Sequence, residues 1–337
     1  MKNIILTLTI LLIRGTLLCA QPSAAPGYRN LVFEGGGIRG VAYAGALGVI
    51  EEQGVLKNIE RTAGTSVGAI AAMLVSLGYS SAAIDKIMTS LKVQEFNDGR
   101  FIFFGGFYRF FHKYGWYRGI QFERWLGNQV RKRTGTDTLT FAQLHQLHLR
   151  DPAYKDLFVT GTNLSAQRTE LFSWTTTPSM SIKTAVRISM SIPLYFSAVL
   201  LDTNGHVIKK RRYAGPYSVM VDGGLTANYP IAVFDTNGVY NRATLGLKLE
   251  RPEQIEGFRK SKAISGYTIN SMSSYIAALY NYTIESLNRK DQLLDEDGRT
   301  IYISTQHIQP KVRAMKKSEK DLLYQSGKDA ATRFFSK

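Results

Sequence analysis

Ser66 lies in GTSVG, Gly64 to Gly68, and fits the nucleophile-elbow pattern G-x-S-x-G. The chemistry needs a sharp strand-to-helix turn that pushes a hydroxyl out of a sheet. Glycines two residues to either side let the neighbouring backbone come close. The helix that follows turns its N-terminus toward developing negative charge. The pattern alone also describes an ordinary Gly/Ser turn. Here it sits between a strand candidate, Ile59 to Ala63, and the Ala-rich helical run AIAAMLVSLGY, which is the context an elbow requires.

A second group is Gly35, Gly36, Gly37, Ile38, Arg39 and Gly40, closing the apolar run LVFE. Glycines of this kind cradle a phosphate or an oxyanion. No G-x-G-x-x-G stands in frame with an acid beyond it, and no Gly-Lys-Ser/Thr is present, which argues against a nucleotide. Consecutive glycines can turn several N–H groups toward one point, where the oxyanion of a tetrahedral intermediate forms. Arg39 then adds positive charge or anchors the loop. The plain alternative is a Gly-rich connector with Arg39 merely exposed.

A serine nucleophile needs a base. Of the five histidines, only His307 completes the order Ser66, Asp222, His307 expected of a Ser-Asp-His hydrolase. The other option is that Asp222 takes the proton itself, provided partial burial raises its pKa. Asp222 ends the strand candidate Tyr217 to Val221 and is followed by two glycines, in VMVDGGLTANYP. No His, Cys or carboxylate spacing suggests a metal, and no cofactor is expected.

The elements that must position these residues read as strand (Asn30 to Glu34), Gly turn, helix (Gly40 to Gly54), strand, sharp turn, helix. That is a β-α-β unit and predicts a parallel α/β sheet. Gly45 and Gly48 predict close contact on the first helix. Helices follow at Ser80 to Leu91, Gln121 to Arg133 and Thr140 to Leu147. A further one is opened by Pro178 and runs to about Met190. Strand-like stretches are Leu157 to Thr162, Thr169 to Trp174, Thr244 to Leu249 and Thr300 to Ser304, with an extended segment at Ser191 to Ser197. Tyr267 to Arg289 and Lys317 to Phe334 read as helices. The stretch from Phe96 to Gly119 is dense in aromatics, glycines and basic residues, with no clean period. It predicts an irregular, partly helical excursion over the sheet, whose residues 101–117 line an acyl groove, insert at a membrane interface, or are simply core.

The composition is that of a globular chain, 44% hydrophobic and 20% charged over 337 residues. Lys2 and the apolar run Ile4 to Ile13 predict a signal peptide, residues 1–20, cleaved after Ala20. The run is too short for a membrane span and Arg14 interrupts it. Lipoprotein processing at Cys19 is the rival, and Leu18 fits it poorly. Cys19 is the only cysteine, so the exported chain would hold none. Removal of Lys2 and Arg14 lowers the formal charge from +16 to +14. That charge, with the run Lys209 to Arg212, suits peripheral contact with an anionic membrane surface or is simply a solvated surface. No nucleic-acid motif supports that partner, and the oligomeric state is not encoded legibly.

GGGIRG, GTSVG and DGG, in that order, resemble the patatin-like phospholipases of secreted, bacterial type. The likeness runs from about Asn30 to Pro230 and is helped by RISMSIPLYF, Arg187 to Phe196, and by the NYP after DGG. The resemblance implies an α/β protein with a three-layer α/β/α fold and a mixed, mainly parallel central sheet. It implies Ser66 as nucleophile, Asp222 as base, and Gly35, Gly36, Gly37 and Arg39 as the oxyanion loop, with Gly40 at its helix junction. The substrates implied are lipid acyl esters, in a phospholipase A or lysophospholipase type of reaction. A catalytically silent lipid-binding protein on the same fold is the alternative of another class. The domain reading is a linker at 21–28 and one catalytic domain at 29–337, with a motif-bearing core at 30–240 and an extension at 241–337.

Overall fold

The computed structural model describes residues 27–99, 104–209, 213–257, 269–270, 275, 278–279, 282–284, 298–309 and 315–336. The leader, most of the linker, residues 210–212 of the basic run and most of the helix expected over 267–289 lie outside the described residues.

Five strands form the parallel heart of the sheet: β1 (Asn30–Phe33), β2 (Arg61–Gly64), β4 (Asp156–Asn163), β9 (Thr244–Glu250) and β10 (Thr300–Ser304). They lie in the order β10-β9-β1-β2-β4. Three antiparallel strands extend it. β5 (Arg168–Phe172) and β8 (Tyr217–Asp222) pair with β4, and β7 (Val199–Asp202) pairs with β8. The sheet is therefore mixed and mainly parallel, as expected of the family resembled.

Alternation along the strands sorts side chains onto two faces. Leu31, Phe33, Leu157, Val159, Leu245 and Leu247 join the large core under the helices. Val32 and Ala63 face the other way, against Tyr229, Ile231 and Phe234. Both faces are covered, so the central strands read as near-continuous apolar runs. The helices of the first face include α1 (Val41–Glu52), α2 (Val67–Ser76), α3 (Ser81–Ser90), α5 (Ile120–Thr134), α6 (Phe141–Arg150) and α7 (Ile182–Ser189).

Gly48 and the start of α7 differ from the sequence reading, the close contact expected at Gly45 is present, and the place of residues 244–250 and 300–304 in the sheet is new. From the extension at 241–337, β9 pairs directly with β1 and carries β10 on its far edge. The C-terminal helix (Lys317–Phe335) lies against α1, so close that a side chain at Gly45 would strike the backbone of Tyr324. Gly48 meets nothing and makes no such contact. Finally, α7 starts at Ile182 and not at Pro178. The carbonyls of Pro178 and Met180 are occupied accepting the first amides of α6, from Ala142 at 2.9 Å and Phe141 at 3.1 Å, which keeps that segment out of a helix.

The aromatic stretch contains α4 (Phe104–Lys113) and the short strand β3 (Gly115–Tyr117). β3 pairs in parallel with β6 (Leu194–Phe196) to make a separate two-stranded sheet.

Candidate active site

β4 is the ruler of the site. Val159 pairs with Gly64 of β2 and Gly161 pairs with Asp222 of β8, while both also pair with β5 on the opposite edge. β2 and β8 therefore meet head to head along one edge of β4, their C-terminal ends separated by Thr160. This brings Ser66, two residues past β2, against the last residue of β8. Thr160 closes the junction, its hydroxyl 2.6 Å from Thr65 Oγ1.

Ser66 stands between β2 and α2 with φ +55° and ψ −125°. A non-glycine residue there is strained, and such strain persists only where the surroundings over-determine it. Gly64 and Gly68 do that. A side chain at Gly64 would strike the carbonyl of Gly68, and one at Gly68 would strike the carbonyls of Phe33 and Glu34. The Ser66 amide donates to Ser189 Oγ at 2.8 Å, which ties the turn to α7.

Ser66 Oγ lies 2.9 Å from Asp222 Oδ2 and 3.3 Å from Met190 Sδ. Both residues are out of water, Asp222 completely and Ser66 at 5% exposure. The other carboxylate oxygen of Asp222 accepts the Gly224 amide at 2.8 Å, and the Asp222 amide donates to Ser191 O at 3.0 Å. The carboxylate is thus held at one oxygen and offers the other to the serine. A hydroxyl bonded to a fixed carboxylate at a helix N-terminus can act as an activated nucleophile.

The glycine loop borders this pair. A side chain at Gly35 would sit 3.3 Å from Ser66 Cβ. The Gly35 amide is already bonded to Asn228 O at 2.9 Å, so it is not a donor for an oxyanion. No partner for the Gly36 or Gly37 amide occurs among the described residues. Gly37 takes φ +58°, which starts the short 3-10 turn Gly37–Gly40 and leads into α1. Arg39 folds back, its Nε donating to Gly36 O at 3.0 Å, and so it anchors the loop. Gly40 is buried against Val67, the first residue of α2.

Several residues here carry no sequence motif of their own. Asn228 Nδ2 bridges Gly35 O and Glu34 Oε1, each at 3.2 Å, and Glu34 Oε2 accepts the Leu249 amide at 2.8 Å. Burial, foremost, pushes the Glu34 carboxyl up to about 8, against the opposing pull of Lys248, the Leu249 amide and Arg39. Lys248 is itself paired with Glu250 at 2.9 Å, both side chains nearly buried. Arg187 is a buried cation among the carbonyls of Arg118, Gly119 and Ser197, and burial lowers its pKa to about 10. It also bonds the hydroxyl of Ser191, whose carbonyl holds Asp222. The signals for these residues were an acid closing β1, the NYP after DGG and the RISMS segment.

The histidines lie elsewhere. His307 is on an exposed turn after β10, 3.1 Å from Glu253. His145 bonds Asp156, His148 bonds Tyr154 O, His206 pairs with Asp202 and His112 with Tyr108 O. None has Ser66 or Asp222 among its described partners.

A family model described as patatin-like phospholipase matches residues 31–235. The chain is 31% identical over 253 residues to an uncharacterized protein of Acanthamoeba polyphaga mimivirus, covering 74% of each. It is 25% identical over 214 residues to a probable lipid hydrolase of Invertebrate iridescent virus 6, covering 61% of this chain and 63% of that one. Among solved structures, VipD from Legionella pneumophila matches with a TM-score of 0.59 at 18% identity, over 92% of this chain and 67% of that one. The type III effector ExoU matches with a TM-score of 0.52 at 17% identity, over 93% of this chain and 54% of that one. At these identities the two structures share the fold with this chain.

Proposed function

This chain belongs to the patatin-like phospholipase family, and from that premise we propose that it is a lipid acyl hydrolase working through a Ser66–Asp222 dyad. The observation that carries the reading is the 2.9 Å contact between Ser66 Oγ and Asp222 Oδ2, both residues being buried. The probable lipid hydrolase among the relatives supports the substrate class.

In this mechanism Ser66 Oγ attacks the ester carbonyl as its proton passes to Asp222 Oδ2. The Gly36 and Gly37 amides and the N-terminus of α2 stabilise the oxyanion. The tetrahedral intermediate expels the alcohol, which takes the proton from Asp222, and leaves an acyl-Ser66. Asp222 then accepts a proton from water, the resulting hydroxide attacks the acyl carbonyl, and the proton returns to Ser66 as the fatty acid departs. Peripheral contact with an anionic membrane surface belongs to the same reading, since the substrate resides there.

The test is incubation with a mixed lipid extract and mass spectrometry of the released acyl chains, wild type against Ser66→Ala. The expected outcome is release by the wild type, and a fall of at least about 1,000-fold in the variant. Equal release by both proteins would refute the assignment. No release by either would favour a silent lipid-binding protein.

A further inference from the structure

α4 is an amphipathic helix turned inside out. Its inner face presents Gly106, buried against Trp116, and Arg109, only 6% exposed, with Nε donating to Trp116 O at 2.8 Å. Its outer face presents Phe107 and Phe111, one turn apart and 46% and 69% exposed, beside exposed Tyr108. Tyr114, at the end of the helix, and Leu194, on the β6 strand paired with β3, are also exposed. A surface helix normally buries its apolar stripe and solvates its cations. The reverse arrangement marks a contact surface.

The sequence on either side of these rings is rich in cations, with Asp98 near Arg109 beneath them. No Asp or Glu occurs from Gly99 through Phe122 or from Thr203 through Val221, and the two stretches together hold eight Lys and Arg. They meet in space. Lys113 O accepts the Ala198 amide at the start of β7, and Lys113 feels the like charges of Arg118, Arg109 and Lys209. Exposed aromatic rings beside the exposed cations Lys113, Arg118 and Lys209 suit the boundary between headgroups and acyl chains of an anionic bilayer. Among the described residues no helix is long and apolar enough to cross a membrane, so the contact would be peripheral.

The face is also continuous with the site. Leu194 follows Ser191 by three residues, and Ser191 O holds the Asp222 amide while neighbouring Met190 touches Ser66. We propose that the outer face of α4, with Leu194 and Lys113, is the surface by which this chain docks on an anionic lipid bilayer. The proposal rests on the lipid reading of the site only for the choice of a bilayer as occupant.

Brominated-lipid quenching of tryptophan tests it, because the Trp116 ring packs 5.3 Å from that of Phe107 and the first twenty residues hold no tryptophan. A chain held only by its apolar leader would therefore not be quenched. The chain carries Ser66→Ala, so docking is read apart from hydrolysis and can fail or succeed independently of it. The vesicles are brominated phosphatidylcholine, alone or with about one third phosphatidylglycerol. Quenching is expected on the anionic vesicles and is expected to weaken with salt. Phe107→Ser with Phe111→Ser should raise the lipid concentration needed by at least about 10-fold at unchanged circular dichroism. Lys113→Glu should raise it on anionic vesicles and leave neutral ones unchanged. Absent quenching, equal quenching of parent and double variant, or a dimer in sedimentation that the double variant dissolves would each overturn the proposal. The last would make the occupant a second copy of this chain.

Discussion

At the Ser66 end of the sheet, polar groups are buried and held: Asp222 is fully covered and bonded at its carboxylate, amide and carbonyl. On α4 the reverse holds, with the Phe107 and Phe111 rings in solvent and Arg109 beneath them. In the first region each residue's identity follows from its neighbours within the chain. In the second, Phe107 and Phe111 stay largely exposed although their rings also touch Trp116 and Phe110, and the proposed docking on a bilayer would give that exposure a role. A substitution at the site should therefore register in turnover of any ester, and one on α4 only when a surface is present.

The hardest strike at that contrast is Asp222→Asn. The amide oxygen can still accept the Gly224 amide, but the NH2 facing Ser66 cannot accept its proton. Turnover of a short soluble ester should fall by about 1,000- to 10,000-fold with little change in thermal stability. Retained turnover would mean that the Ser66 proton goes elsewhere, and His307→Ala would then become the informative variant.

Gly36→Ala probes the loop and should do less. Gly36 has φ −162°, outside the left-handed region that favours glycine. Its methyl group would meet the end of the Leu249 side chain on β9. Moving that leucine displaces the amides around residue 36, and kcat should fall by about 10- to 100-fold, less than complete loss of an oxyanion donor. A change confined to KM would show that the loop binds substrate and does not stabilise the transition state.

These variants also mark how much of the site was legible. GTSVG and DGG could be read because the demand is local: at Gly64 and Gly68 a side chain would strike backbone four residues away or at the end of the adjoining strand. The parallel order of β1 and β2 followed from the helix between them. The loss of Gly35 as a donor could not be read, because its partner Asn228 is 193 residues away. The role of β9 was hidden for the same reason: the Leu249 amide that meets Glu34 is 215 residues distant. Pro178 misled because its carbonyl serves another helix. The aromatic stretch is partly helical, as expected, but the bounds of α4 could not be read because glycine and arginine stand where an apolar stripe is expected.

The smallest expected effect concerns Glu34, where the buried region should respond to pH. Its carboxyl is pushed up to about 8, chiefly by burial and further by Glu250, with Lys248, the Leu249 amide and Arg39 opposing. The folded state therefore keeps a proton that the unfolded chain, near its ordinary 4.5, has already lost. The stability this contributes is complete below the unfolded value, declines as pH rises toward about 8, and is flat above. Glu34→Gln removes the titration and nearly preserves the shape. Whatever fixed offset the amide brings at Asn228 and Leu249, the melting temperature of the variant relative to wild type should climb from about pH 5 to about pH 8 and then level. Thermal melts of both proteins across that range measure it. A difference that stays flat would mean that Glu34 titrates alike folded and unfolded. Lys248 would then offset the burial of its charge, and the polar end of β1 would be an ion network instead of a neutral clamp on the glycine loop.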